Sequence, residues 1–245
     1  MTNFTIQIAS RVVSVTALYE STRNYCVEYL CNAEPDFSVA TSPEDIASER
    51  EKSAREDRLE GLPVRNFSDA CLEITAVQRK IAEKLFAYDT LLMHGSVVSV
   101  DGVGYLFTAK SGTGKSTHTR LWRQVFGNRA VMVNDDKPFL RMTNSGVLAY
   151  GSPWNGKHGL GSNICAPLKA ICILGRGEEN RIREIPAKDA LFHLLQQSNR
   201  PMAPQTMPKY LELIDKLAGY VRFFRLSCNM DPAAAVVAYE AMSKP

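Results

Sequence analysis

An α/β fold is what the sequence predicts: a mixed, hairpin-rich sheet with flanking helices and a phosphate-binding loop, preceded by a small antiparallel β region. Three observations predict it. Ala109-Lys110-Ser111-Gly112-Thr113-Gly114-Lys115-Ser116-Thr117 follows the apolar run Tyr105 to Thr108 and leads into a helical run to Val125, the strand–loop–helix context that a phosphate loop requires. Leu91 to Val100 and Gly104 to Thr108 are apolar strands joined at Asp101-Gly102, a tight hairpin signal, so the loop-bearing strand should run antiparallel to the one before it. A doubly wound fold would reach that strand through a crossover, which is why the sheet is expected to be mixed. Lastly, the first forty residues hold only short β-type runs, which divides the chain into an N-terminal region, 1–66, and a loop-bearing domain, 67–245.

Taken in order, Phe4 to Ala9, Arg11 to Tyr19, Cys26 to Cys31 and Phe37 to Ala40 alternate β-branched or aromatic residues between turn-type residues, and read as the antiparallel strands of that region. Ser42-Pro43-Glu44-Asp45 is a helix start, with a capping hydroxyl, proline in the first turn and acids that the helix dipole favours. The helix that it opens is almost entirely charged, and Glu49 to Leu62 reads as a solvated surface helix, with a mobile arm or lid as the alternative. Leu72, Ile74, Val77, Ile81, Ala82, Leu85 and Phe86 then recur at helical spacing, predicting a long amphipathic helix over Ser68 to Tyr88.

Beyond the loop, Ser116 to Phe126 should be a helix ended by Gly127-Asn128, and Ala130 to Val133 a buried strand that delivers Asn134, Asp135 and Asp136 at its carboxyl end. Phe139 to Met142 and Val147 to Tyr150 form a second hairpin. A glycine-rich loop from Gly151 carries Trp154, Asn155, Lys157 and His158, a segment suited to substrate recognition, although Trp154 could equally anchor the core. Leu168 to Leu174 and Arg222 to Leu226 are strands; Ala187 to Gln197, Lys209 to Tyr220 and a last segment opened by Asp231-Pro232 and running to Met242 are helices.

A net charge of +3 over 245 residues is too small to argue for nucleic acid or a membrane surface. The first residues lack the basic and apolar stretches of a leader, so a cytoplasmic protein is expected. Six cysteines form no Cys-x-x-Cys pair, and free thiols are expected, without zinc or structural disulfides.

The loop's chemistry follows from its residue types. Glycines let successive backbone N–H groups of Ser111, Gly112, Thr113, Gly114, Lys115, Ser116 and Thr117 face one anion, Lys115 reaches the terminal phosphates, and the Ser116 hydroxyl can serve Mg²⁺. Alanine stands at position 109, where the motif has glycine, which costs little unless the backbone there is left-handed. Phosphoryl transfer needs position and charge neutralisation more than covalent chemistry. The expectation is therefore an ATP- and Mg²⁺-dependent kinase in which Asp135 accepts the proton of an acceptor hydroxyl and Asp136 joins Ser116 on the metal; the reading with the two acids exchanged stays open. His94 starts its strand level with the loop, where it could meet the transferring group, tune Asp135 or serve only the structure. Lys110, Arg120, Arg123, Arg129, Lys137 and Arg141 either form a positive field for phosphates or are ordinary surface bases. A nucleotide-switched regulatory module with slow hydrolysis is the competing function, motivated by the charged segment before the loop.

His94-Gly95, Asp101-Gly102-Val103-Gly104, the loop Ser111 to Ser116 and Asp135-Asp136, at this spacing, resemble the catalytic domain of HPr kinase/phosphorylase, which shares its phosphate-loop fold with phosphoenolpyruvate carboxykinase. The resemblance runs from about Leu91 to Phe139 and fades after Trp154. It implies that His94 contacts the phosphate site, that Asp135 is the general base, and that Asp136 and Ser116 serve the metal. Oligomers are frequent in that family, which makes a homo-oligomer compatible with the resemblance. The family's later Glu-x-Arg-Gly signature is replaced here by Ser152-Pro-Trp-Asn-Gly-Lys-His-Gly, without an acid, so the resemblance leaves the acceptor unassigned among small molecules, peptides and proteins.

Overall fold

The computed structural model describes residues 1–59, 61–156, 158–201 and 203–244. Packing divides the chain into two compact units, Met1–Lys84 and Leu85–Pro245. That division falls after the long amphipathic helix, whereas the sequence placed the junction before it, at 66/67.

In the first unit, β1 (Thr2–Ile8) and β2 (Arg11–Ala17) form an antiparallel hairpin. Its two turn residues, Ala9 and Ser10, have φ of 50° and 60°. This left-handed pair suits the strand twist but carries no glycine or asparagine to announce it. The run Cys26 to Cys31 is not a strand. Thr22, Cys26 and Tyr29 are buried at helical spacing, in helix α1 (Glu20–Tyr25) and the 3₁₀ turn Val27–Tyr29 next to it. This helical return brings β3 (Phe37–Ala40) back parallel to β2, so the small sheet is mixed and not antiparallel throughout.

Two helices complete this unit, α2 (Pro43–Leu59) and α3 (Asp69–Leu85). α3 is fixed by Glu73, a fully buried carboxylate that accepts from Leu18 N (2.6 Å), Tyr19 N (3.1 Å), Thr22 Oγ1 (2.5 Å) and Thr41 Oγ1 (2.6 Å). α2 has no apolar stripe and is fastened by charge instead. Glu49 turns inward to Arg79 (2.8 Å) and Lys52 (3.0 Å), and buried Asp57 accepts from Arg65 N (2.8 Å) and its guanidinium (2.7 and 3.0 Å). The charged segment is therefore neither fully solvated nor a free arm along 49–59; Glu60 lies outside the described residues.

The second unit carries a nine-stranded mixed sheet. Its strands are β4 (Thr90–Leu92), β5 (Ser96–Val100), β6 (Val103–Thr108), β7 (Ala130–Asn134), β8 (Phe139–Thr143), β9 (Gly146–Tyr150), β10 (Cys165–Arg176), β11 (Arg181–Ile185) and β12 (Arg222–Cys228). The order is β4-β8-β9-β10-β6-β5-β7, with β12 on the far half of β10 and β11 beyond it. As the Asp-Gly signal predicted, β5 and β6 are an antiparallel hairpin whose turn residues Asp101 and Gly102 have φ of 52° and 81°.

β10 is the strand on which the sheet curls. Its first residues pair antiparallel with β9, and from Leu168 onward it lies parallel to β6, with β12 parallel on its other side. Its residues alternate between two cores. Ile171 and Ile173 face the apolar sides of α5 (Ala187–Gln197) and α6 (Met207–Tyr220); Ala170, Cys172 and Leu174 face α4 (Lys115–Phe126) and α7 (Ala233–Met242).

One expectation needs correction, and one strand had gone unread. The single strand Leu91 to Val100 is broken into β4 and β5 at Met93-His94-Gly95, because β4 pairs with β8 while β5 turns to β6 and β7. β11, Arg-Ile-Arg-Glu-Ile, had no apolar signal, since an edge strand buries little and only Ile185 is buried in it.

Candidate functional site

The loop is held open by backbone conformations that only glycine takes without strain. Gly112 and Gly114 have φ of 76° and 119°, and Gly114 opens α4. Ala109 does not share that conformation; it is buried with φ outside the left-handed region, so its side chain in place of the motif's glycine introduces no strain. Thr113 ties the loop to itself through Lys110 O, by its N–H (3.2 Å) and its hydroxyl (2.8 Å). Lys115 is nearly buried, and its ammonium donates to Ala109 O at 3.2 Å; burial lowers its pKa against the pull of Asp136 and Asp135.

β7 brings the acids to the loop. Asn134 makes this possible by accepting, at its side-chain oxygen, from the N–H groups of Asp136 (2.9 Å) and Lys137 (2.6 Å), a local turn that stands both acids up at the strand end. Its amide donates in the opposite direction, to Ser152 O (3.1 Å) and Asn155 Oδ1 (2.9 Å), pinning the glycine-rich loop alongside. At Gly156 that loop passes over the acids: a Cβ there would stand 3.6 Å from Asp135 Oδ2 and from Asp136 Cβ. Trp154 is a core anchor, buried and edge-on to Phe139 with centroids 6.4 Å apart. Lys157 lies outside the described residues.

Asp135 is almost fully buried. Ser96 Oγ lies 3.0 Å from both its carbonyl and its Oδ1, while Oδ2 is buried with no hydrogen-bond partner. Burial pushes its pKa up, and the Ser96 and Ser116 hydroxyls and the charge of His158 pull the other way. A buried carboxylate oxygen with nothing to accept is costly, and such a group calls for a cation or a proton from outside the fold. The donor set of Asp135, Asp136 and the Ser116 hydroxyl is all oxygen, the chemistry that suits Mg²⁺, so these residues fit that ion.

His94 is placed by α5. Its N–H donates to Gln197 O (2.7 Å), and its Nδ1 lies 2.7 Å from Gln197 Oε1. Its Nε2 lies 3.4 Å from Asp136 Oδ1. Burial, with Lys137 and Lys115 nearby, pushes the imidazole pKa down to about 3, so the ring is neutral and this approach is not an ion pair. With the proton on Nδ1 facing Gln197, the lone pair of Nε2 looks toward Asp136. The surrounding contacts are polar as well: Thr108 Oγ1 donates to His94 O (3.0 Å) and lies 3.3 Å from His193 Nε2.

The structure thus brings His94, Lys115, Asp135 and Asp136 to one end of the loop, and it recruits residues that sequence reasoning passed over. Ser96 and Gln197 hold Asp135 and His94. Arg176, at the end of β10, holds the loop's outer side through Gly112 O (2.5 Å) and Thr113 O (3.4 Å). Of the bases around the loop, Arg129 is committed to Asp101 at the β5–β6 turn, with contacts of 2.5 to 3.2 Å. Among the described residues no helix is long and apolar enough to cross a membrane.

No family model matches the chain. Over 156 residues it is 28% identical to the HPr kinase/phosphorylase of Bacillus cereus (strain B4264), covering 64% of this chain and 48% of that protein, and the same figures hold for the HPr kinase/phosphorylase of Bacillus anthracis (strain A0248). The chain spans about half the length of the curated relatives it matches. A solved structure, the Hpr(Ser) kinase/phosphatase from Coxiella burnetii, superposes with a TM-score of 0.38 at 13% identity, over 61% of this chain and 95% of that one. The chain is HPr kinase-like in sequence, as the motifs from His94 to Asp136 had implied.

Proposed function

We propose that the chain is an ATP-dependent kinase that transfers the γ-phosphoryl group to a hydroxyl of a small-molecule, peptide or protein acceptor. The observation that supports this reading is Asp135, a buried carboxylate with raised pKa and an oxygen that makes no hydrogen bond of ordinary geometry, beside the loop that carries Lys115 and Ser116. Similarity to HPr kinase/phosphorylases supports the same reaction class.

In this mechanism the loop's N–H groups and Lys115 hold the phosphates, Lys115 exchanging its contact with Ala109 O for the terminal oxygens. Asp135 Oδ2 accepts the acceptor's hydroxyl proton; the raised pKa makes the carboxylate a better base while burial keeps water from competing. Ser96 keeps Oδ1 occupied, so Oδ2, with the Ser116 hydroxyl nearby but no hydrogen bond of ordinary geometry, is the oxygen that works. His94, neutral, keeps Nε2 toward Asp136 without adding charge. Ser116 and Asp136 would hold Mg²⁺, which would supply positive charge to offset that of the phosphates. Asp135→Asn is expected to keep nucleotide binding and lose transfer of label from γ-labelled ATP to acceptors in a lysate of small molecules and peptides; full transfer would defeat the base assignment.

A second reading of the acids has an observation in its favour: the Ser116 hydroxyl is near enough to Asp135 to favour its charged form. In that reading Asp135 shares the metal with Ser116, and Asp136, beside His94, is the base. The metal dependence of the two variants separates the assignments. If Asp135→Asn raises the Mg²⁺ concentration needed for nucleotide binding and Asp136→Asn does not, the acids exchange roles.

A further inference from the structure

Thr108, Ile173, Arg225 and Arg183 fall in one transverse row across the sheet of the second unit, on β6, β10, β12 and β11. Paired residues of neighbouring strands share a face, and Ile173 packs toward α5, so all four side chains stand on the α5 side. The row begins at the root of the phosphate loop and ends in two exposed arginines directly opposite each other, β11 being the edge of that half of the sheet. From this row we infer that Arg183 and Arg225 dock acidic side chains of a polypeptide acceptor, roughly six residues along its chain from the hydroxyl that receives the phosphoryl group. The inference rests on the kinase reading above and names the acceptor class which that reading leaves open.

Like charges directly opposite one another destabilise a ladder, and nothing in the fold relieves this pair. Among the described residues, neither side chain makes an ion pair or a hydrogen bond. The arginines around them are treated otherwise: Arg181 pairs with Glu179 and Arg222 with Glu184. Glu184 follows Arg183 in sequence but lies opposite Phe224 on the other face, where Arg222 takes both its oxygens, at 2.6 and 2.9 Å. Asp189, in the first turn of α5, joins neither open arginine. Two guanidinium groups left open side by side are complementary to carboxylates, which their planar donors grip bidentately.

Distance decides the size of the occupant. β7, which carries Asp135 and Asp136 at its end, is four interstrand steps from β12 and five from β11. At ~4.8 Å per step this is roughly 19–24 Å, which an extended chain covers in about six or seven residues. A small molecule with its hydroxyl at Asp135 ends well short of the arginines; a polypeptide does not. α5 traces the same route, from Ala187, just beyond the end of β11 at Ile185, to Gln197 against His94. Midway along it His193 lies 3.3 Å from Thr108 Oγ1, and burial, with the charges of Arg225 and Lys115, lowers its pKa, so one ring feels both ends of the route. Phe192, 71% exposed, offers an apolar contact beside it.

The test is transfer of label from γ-labelled ATP, by the full chain, to synthetic peptides with a single serine in an alanine–glycine background. A cluster of glutamates, glutamines or lysines is centred about six residues from the serine, on either side. The glutamate peptides are expected to be labelled with kcat/KM roughly tenfold above the glutamine peptides, and the lysine peptides least of all. Arg183→Glu combined with Arg225→Glu should remove that advantage and make the lysine peptides the best acceptors, while labelling of the glutamine peptides stays as in the parent and so reports an intact fold and loop. Equal labelling of glutamate and glutamine peptides overturns the inference, as does an unchanged glutamate advantage in the double variant. Nucleotide binding with no peptide labelled overturns it too, and leaves the kinase reading standing with small-molecule acceptors. Failure of ATP to bind the unmodified protein removes both.

Discussion

Two buried carboxylates, one in each unit, are treated in opposite ways. Glu73 is closed: two backbone N–H groups and two hydroxyls saturate it, and it serves to fasten α3 beneath the small sheet. Asp135 is left open: Ser96 occupies one oxygen, and the other, with the Ser116 hydroxyl nearby, makes no hydrogen bond of ordinary geometry. A fold that can surround one acid with four donors has the means to satisfy a second, so the missing donor at Asp135 is a feature of the site. Saturation marks a carboxylate that builds the protein; under-saturation marks one that waits for something from outside.

The comparison can be broken or sharpened by substitution. The largest effect is expected from Asp135→Asn, which should lower transfer about 10²–10⁴-fold with nucleotide affinity retained, as measured by single-turnover label transfer beside calorimetric binding. Glu73→Ala should do the reverse, costing about 3–5 kcal/mol of stability in the first unit by stranding four donors, a loss read by chemical denaturation. Gln197→Ala frees the His94 ring and should slow transfer roughly tenfold through kcat and not KM, since it is a positioning residue that touches no phosphate. In the parent protein the transfer rate should show no step attributable to His94 near 6.5, because that imidazole titrates at about 3.

The smallest effect is thermal. Asp135 has a raised pKa when folded, so the folded state holds its proton more tightly than the unfolded chain, and the buried charge costs stability above the carboxylate range and not below it. Asp135→Asn should therefore melt higher than the parent at neutral pH, and the difference should close as pH falls from the raised folded-state pKa to the ordinary carboxylate value. A constant difference across pH would mean that the carboxylate is not strained by burial.

What the sequence made legible has a common character. The loop, the Asp101-Gly102 hairpin and the acids at the end of β7 are local signals, each contained in a few residues whose chemistry admits one backbone solution. The partners that complete the site are not local. Ser96 meets Asp135 across 39 residues, Arg176 meets Gly112 across 64, and Gln197 meets His94 across 103. A lone serine, arginine or glutamine inside an ordinary strand or helix carries no pattern that predicts such a meeting. The same limit explains the first unit, where Cys26 to Cys31 had β-type residues but tertiary burial chose helical spacing, and where α2, judged by its apolar content, hid the inward turn of Glu49 and Asp57.

The position of β10 also governs when the loop can exist during synthesis. β6 leaves the ribosome with β5 as its only partner, and its other edge stays unpaired until Leu168 and the residues after it emerge. β12, later still, is needed to cover the far side of β10, and Arg176 cannot grip the loop before β10 is complete. A nascent chain that has already displayed every residue of the loop therefore still lacks the strand and the arginine that hold it, and its strand edge stays open to other chains until translation of this unit is nearly complete.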